Sequence, residues 1–334
     1  MAKFSFISYL FFLFAAVLCA GVEASYGRIP TRVKEGQSIQ RAINRAQPGD
    51  TILVGKGTYR EQITISKDGI RLIGDKAILR PPVTAPKKPN GCVGLAGDGT
   101  AAGICIIGPK VKLDPFPGQE HRKVASVDRA VRDVRVEGFE VRDFQGLNIA
   151  IVGAKNTEVK HNTVVDGTAY GILTVGSVAT RITGNKVSSS SLLFIGICMD
   201  DKSDTNGARV SHNTVRNCCA GAFVDPGIDG ARVTDNRISD SNPFCPSAGG
   251  VSIAGATNTK VSGNKISGIT DNGKPELISS GIAIFDFLGR VASNNVVVNN
   301  VLKKNDQDLL VDTTGANNKV ANNNCATPEA LCKK

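Results

Sequence analysis

The chain has 334 residues, 41% hydrophobic and 21% charged, with a formal net charge of +10. No tryptophan, four tyrosines and no basic-aromatic block leave single-stranded nucleic acid without stacking platforms, so nucleic acid is not the expected partner. An excess of cations suits an acidic polymer such as a polyuronate, although the same charge also keeps a protein soluble.

The opening Met1-Ala2-Lys3, the apolar run from Phe4 to Leu18 and the small residues up to Ala24 have the form of a secretory signal peptide over 1–24. No later apolar run approaches the ~20 residues that span a bilayer, so a secreted monomer without a membrane anchor after cleavage is expected. Removing Cys19 with the leader leaves eight cysteines, an even number that suggests disulfides. Cys92 with Cys105 and Cys325 with Cys332 are local pairs; Cys198, Cys218, Cys219 and Cys245 are left to pair among themselves. No N-glycosylation sequon occurs.

Residues 33–50 predict an N-terminal cap. Ser38 begins a short helix whose Ile39, Ala42, Ile43 and Ala46 share one face, and Pro48-Gly49-Asp50 ends it. Strands follow at Thr51 to Val54, Gln62 to Ile65 and Ile70 to Ile73. The succession Gly36-Gln37-Ser38-Ile39-Gln40, Ala42-Ile43, Pro48-Gly49-Asp50-Thr51-Ile52, Gly57-Thr58-Tyr59 resembles the amino-terminal cap of the pectin-lyase-like superfamily. That resemblance implies an all-β chain, a right-handed parallel β-helix solenoid plugged by an amphipathic helix, with 25–334 as one domain. Residues 81–130, rich in Pro and Gly and containing His121, are expected to be an irregular flap or insertion.

Regular coils are expected over 131–324. Asn162, Asn185, Asn213, Asn236 and Asn264 recur in phrases such as VKHNTV and VSGNKI, with echoes at Asn295 and Asn323. The separations of 23, 28, 23, 28, 31 and 28 residues are those of one stacked supersecondary unit. The asparagines are expected to form a structural ladder, and 325–334 a stapled tail over the last coil.

Each coil also holds a strand beginning near a glycine, from Asn148 to Val152 through to Asp308 to Asp312. Side chains alternate along a strand, so Ile149, Ile151, Ile172, Thr174, Ile197, Met199, Ala222, Val224, Val251, Ile253, Ile282, Ile284, Leu309 and Val311 are expected inside. One outward column is then Ala150, Leu173, Cys198, Phe223, Ser252, Ala283, Leu310; its neighbour is Val152, Val175, Asp200, Asp225, Ala254, Phe285, Asp312. An exterior this apolar predicts covering loops or the floor of a groove. The connections Ser188 to Phe194, Ser239 to Ala248 and Gly268 to Ser280 are candidates for its walls.

Asp200 and Asp225 share an offset on adjacent coils, with Cα atoms expected about 5 Å apart. Such a pair can divide into acid and base or share a cation, so Asp200, Asp225 and nearby Tyr170 are the candidate catalytic residues. Phe223 and Phe285 are the candidate substrate-binding residues. Asp200, Asp201 and Asp225 form a candidate calcium set, which Asp204 and Asp229 can supplement. His161 and His212, two coils and about 10 Å apart, read as surface ladder residues. Arg135, Glu158, Arg181, Arg209, Arg232, Lys260 and Lys319 form a basic stripe on another wall.

The resemblance implies a polysaccharide-active protein. A lyase or C5-epimerase on an acidic, uronate-containing glycan is the first expectation; a glycoside hydrolase using the paired aspartates, or a glycan-binding cell-wall protein, is the alternative. Asp225-Pro226-Gly227-Ile228-Asp229 echoes the Asp-Pro-His-Asp of alginate epimerases without its histidine. The Asn-Thr-Asp, Gly-His-Gly and Arg-Ile-Lys of polygalacturonases are absent.

Overall fold

Helix Ile39–Arg45 closes one end of the molecule. Ser38 caps it by accepting from the Arg41 N–H at 3.1 Å, and the Glu61 carboxylate accepts from the free N–H groups of Ile39 and Gln40. At the other end Lys67 Nζ donates to the carbonyls of Ile43, Asn44 and Ala46. Both ends are thus satisfied while Ile39 and Ile43 plug the core. The computed structural model describes residues 29–86, 88–118, 120–190, 195–201, 207–271, 273 and 279–332. The predicted leader lies outside them, as do Asp204, part of the Gly268 to Ser280 connection and the end of the Ser188 to Phe194 connection.

Among the described residues, nine parallel strands form one wall, in spatial order from Ile63–Ile65 and Ala101–Ile107 through Gly146–Val152, Tyr170–Val175, Ile195–Asp200, Ala220–Val224, Gly249–Ala254 and Ser280–Phe285 to Gln307–Asp312. The other walls are built from short strand pairs on either side of each asparagine turn. The molecule is a right-handed parallel β-helix with one core running along its axis. The anticipated register holds: Ala150, Leu173, Cys198, Phe223, Ser252, Ala283 and Leu310 are successive partners. The inward set is buried, except that Val311 on the last rung is 39% exposed. Among the described residues no later strand pairs with that rung.

The asparagines do what their period implies. The side-chain oxygen of Asn213 accepts from both the backbone N–H and the amide of Asn185, at 2.8 and 3.0 Å, while its own amide donates to Ile182 O and to Asn236. The same pattern links Asn162, Asn185, Asn236, Asn264, Asn300 and Asn323. Asn300 rather than Asn295 is therefore the rung after Asn264. Asn295 instead receives the Thr259 N–H and bonds to Asn318, beginning a second ladder at another corner.

Residues 81–130 are only partly irregular. Ala101–Ile107 is a regular rung, and Lys110–Leu113 with Val124–Arg129 is an antiparallel hairpin lying across the outer face of the nine-stranded wall. Val111, Leu113, Val124 and Val127 pack there on Leu147, Ala150, Val152, Leu173, Val175 and Cys198. A fully buried aliphatic side chain contributes about 1.5–3 kcal/mol, so this second core is a substantial clamp. Gly153 and Gly176 make room for it: a Cβ on either would stand 2.5 Å from Val111 or Val124, and both have positive φ. The apolar exterior is thus covered at one end and open at the other.

The disulfides are Cys92–Cys105, Cys219–Cys245 and Cys325–Cys332, the last stapling a tail whose Leu331 packs on the core. Cys198 and Cys218 stay unpaired, contrary to the expected pairing of all four central cysteines. The physical reason is the wall between them, since Cys198 belongs to the outer cluster and Cys218 to the inner core.

Replacing Asn213 with alanine strands the Asn185 N–H and the Ile182 carbonyl in the interior, and should lower stability by roughly 2–4 kcal/mol. His212→Ala, exposed at the same turn, should change it by less than about 0.5 kcal/mol. Urea denaturation followed by circular dichroism compares the two, and equal effects would remove the ladder's energetic role.

Candidate active site

Asp200 ends strand Ile195–Asp200, and Asp225 follows strand Ala220–Val224 on the next rung. Two carboxylates placed so closely require a positive neighbour, and the hairpin tip supplies it. Arg122 fixes that tip: its N–H donates to Leu95 O at 2.8 Å and its guanidinium to the carbonyls of Asp114 and Leu113. Flanking residues His121 and Lys123 are thereby turned onto the wall.

Lys123 Nζ lies 2.6 Å from Asp225 Oδ2, 3.4 Å from Asp200 Oδ2 and 3.3 Å from Glu120 Oε2. Burial works against its charge, but Asp225 first, then Asp200 and Glu120, outweigh that and raise its pKa above the ordinary lysine value. His121, with no exposed surface, places Nε2 3.0 Å from Asp200 Oδ2 and 3.3 Å from Asp225 Oδ2, and Nδ1 3.4 Å from the Tyr170 hydroxyl. With its proton on Nε2, it donates to the carboxylates and accepts from Tyr170. Burial, reinforced by Cys198 and Asp225, raises the Tyr170 pKa and keeps the phenol protonated. The Cys198 thiol is held up by burial and by Asp225, to whose Oδ1 it donates at 3.2 Å.

Glu120 completes the cluster. It has a positive φ of 59° and its Oε1 is buried without a hydrogen-bond partner. Burial, then Asp225, raises its pKa, with Lys123 and His121 opposing. Strain and an unsatisfied oxygen in one residue mark a place where structure has been given up for something else.

Beside this cluster opens a cavity of about 930 Å³ along the uncovered part of the wall. Glu120, Tyr170 and Asp225 face one end of it, and Asp286 and Asp312 the other. Phe223 and Phe285 line it, joined by Phe287, whose ring stands edge-on to both at centroid distances of 6.2 and 5.9 Å. Pro246, Ser247 and Ala248 of the Ser239 to Ala248 connection form a rim, tied back by Cys219–Cys245. Among the described lining residues there is no lysine or arginine.

The candidate calcium set is not assembled. Asp201 turns inward, where its carboxylate accepts from the Thr180 N–H and hydroxyl, and a lysine ammonium holds Asp200 and Asp225 together instead. Asp229 is also engaged elsewhere, accepting from Thr257 and Asn258. His121, Cys198 and Asp225 do bring a nitrogen, a sulfur and an oxygen within 4.8 Å of one another, but the ammonium bonded to Asp225 already satisfies their charge. His161 lies away from the cluster, exposed and 3.2 Å from Glu137; His212 is likewise exposed at its turn.

Residues 178–328 match the family described as right handed beta helix region. Among solved structures, PfbA, a surface adhesin of Streptococcus pneumoniae, aligns with a TM-score of 0.53 and 13% identity over 85% of this chain and 72% of its own. Alginate lyase from Paenibacillus sp. str. FPU-7 aligns at 0.48 and 12% over 86% and 98%, and DFA-IIIase from Arthrobacter chlorophenolicus A6 at 0.44 and 16% over 81% and 83%. No curated protein matches the chain. The class is therefore that of the right-handed parallel β-helix fold, and at these identities the likeness is one of fold.

Burial pushes the Asp201 carboxyl up to about 6, against hydrogen bonds from Thr174 and Thr180 that pull it down. The folded value exceeds the ~3.9 of unfolded aspartate, so this residue's contribution is intact below about pH 4 and is lost as pH rises through 6, a change of roughly 3 kcal/mol. Asp201→Asn keeps the oxygen that Thr180 bonds and removes the charge. The variant should melt close to wild type at pH 4 and increasingly above it by pH 7; parallel melting curves would contradict the burial of an ionisable carboxyl there.

Proposed function

We propose that the chain is a secreted β-helix enzyme that cleaves or transfers glycosidic bonds of an uncharged glycan, with Glu120 as proton donor and Asp225 as its ionised partner. One observation carries the reading: Glu120 lines the same cavity as Asp225, and its carboxyl combines a raised pKa with a buried oxygen, Oε1, that has no hydrogen-bond partner. Two acids in unlike environments are what acid–base division of labour requires. Asp225 accepts from Lys123 at 2.6 Å and from the Cys198 thiol at 3.2 Å.

Both carboxylates contact one ammonium, at 3.3 and 2.6 Å, so they lie closer than the ~6.5–9.5 Å that admits a water between them. That proximity supports double displacement. Asp225 attacks the anomeric carbon while the Glu120 proton passes to the departing glycosidic oxygen. Glu120 then takes a proton from water, or from a second sugar hydroxyl, which displaces Asp225 and restores both groups. Phe223, Phe285 and Phe287 offer apolar faces to sugar rings, and the Tyr170 hydroxyl, its proton directed at His121, offers an acceptor at that end. Three disulfides among the described residues, with the leader expected over 1–24, support an oxidising, extracellular setting.

The polyuronate lyase or epimerase keeps second place. His121 beside Tyr170, 3.4 Å apart, is a usable base and acid. The reaction also needs a cation to neutralise the uronate carboxylate, and Lys123 is already engaged by three acids. Acidic lining further opposes a polyanion.

The mature chain should release reducing ends from a neutral polysaccharide in a panel of glucans, xylans, fructans, alginate and polygalacturonate. Asp225→Asn should lower kcat about 10³-fold or more. Glu120→Gln should lower it about 10²-fold and abolish the alkaline fall in activity, because the acid must be protonated and loses its proton as pH rises through its pKa. Unsaturated ends from a polyuronate, undiminished in Glu120→Gln, would establish the lyase instead. Binding without turnover, equal in wild type and variants, would leave only a glycan-binding protein.

A further inference from the structure

A chain of net charge +10 whose groove is lined with acids must carry its cations elsewhere, and one row of them stands on an outer wall. Arg181, Arg209, Arg232 and Lys260 are exposed and are direct partners on four consecutive coils. Equivalent residues of parallel rungs repeat at about 4.8 Å, so the four charges form a rail roughly 15 Å long. Upstream the ladder continues through Glu158 to Arg135 and Arg71, and a cavity of about 330 Å³ lies at that end between Arg71, Arg135, Glu158 and Arg181. Val296 interrupts the ladder downstream before Lys319.

Upstream, Arg135 is neutralised, since it pairs with Glu137 and Glu158. Among the described residues, none of the four rail cations has a carboxylate within ion-pair distance. Four like charges at this spacing repel one another, a cost that a polyanion would relieve. Two residues further along the same strands stand Thr183, Ser211, Thr234 and Ser262, also direct partners and half-buried. The wall therefore offers a row of cations beside a row of hydroxyls.

From this geometry we infer a docking surface for a linear polyuronate, separate from the reactive groove and independent of the reaction assigned to it. A stiff chain with one carboxylate per sugar ring matches a one-dimensional row of single charges, and its ring hydroxyls match the adjacent row. Nucleic acid fits less well, because the strands of this rail present no aromatic side chain for base stacking. The acidic polymer would hold the protein in place while the opposite face remains free to work.

Affinity electrophoresis of the full mature chain in gels containing sodium polygalacturonate tests this, at low salt and at 200 mM NaCl. The quadruple variant Arg181→Gln, Arg209→Gln, Arg232→Gln, Lys260→Gln should bind about tenfold more weakly at low salt, and wild-type binding should weaken steeply at the higher salt. A control removes the same charge at Arg32, Lys56, Arg60 and Lys110, also exposed, and should bind within about twofold of wild type. Melting curves for both variants confirm equal folding. Equal losses in the two variants would mean that net charge alone is sensed. No retardation of wild type, or a preference for DNA over polygalacturonate that the rail variant abolishes, would equally overturn the assignment.

Discussion

Everything in this molecule hangs on parallel strands stacking in register, and the buried asparagines enforce that register. An asparagine side chain accepts at its oxygen and donates twice from its amide, so one residue can satisfy the coil before it, the coil after it and its own turn. In this chain the oxygen of Asn213 receives two N–H groups of the preceding rung, and its amide donates to a carbonyl of that same preceding coil and to the asparagine of the next. Slipping a coil by one residue would break these bonds and turn the aliphatic set outward. The inner core, the outer columns and the basic rail are all consequences of one alignment.

That alignment creates a problem as well as a scaffold. Columns bring like residues together, and Asp200 beside Asp225 is an electrostatic liability on a bare wall. The hairpin resolves it from outside the periodic pattern, inserting an ammonium and an imidazole between the acids and sealing half of the apolar exterior. What remains uncovered becomes the cavity. Groove and cover are therefore one arrangement, in which the same residues that shield Asp200 bound the end of the cavity at Glu120 and Asp225.

The periodic part of this structure was legible in the sequence. Alternation and the asparagine spacing located the inward set, the outward column from Ala150 to Leu310 and the floor residues Phe223 and Phe285. The asparagine count lost its place at Asn295, because the 36-residue coil between Asn264 and Asn300 carries two candidates and only hydrogen bonding tells them apart. Glu120, His121 and Lys123 were not found. They lie in a Pro- and Gly-rich segment whose position on the wall is set by docking of Val111 and Val124 at Gly153 and Gly176, contacts without a sequence period. A single histidine two residues from a lysine, in a segment too long to be idle, was the available hint. The inward turn of Asp201, which dispersed the calcium set, follows from leaving the strand, where alternation stops applying.

Cys198 gives this arrangement an unusual property. It is a thiol in a chain that otherwise stores its described central cysteines as a disulfide or deep in the core, and it sits under the hairpin with its hydrogen donated to Asp225. Any opening that lifted the tip carrying His121 and Lys123 would uncover this sulfur and strip Asp200 and Asp225 of their counter-charge together. Chemical access to one sulfur atom would then measure the fraction of time for which the acidic pair stands unshielded.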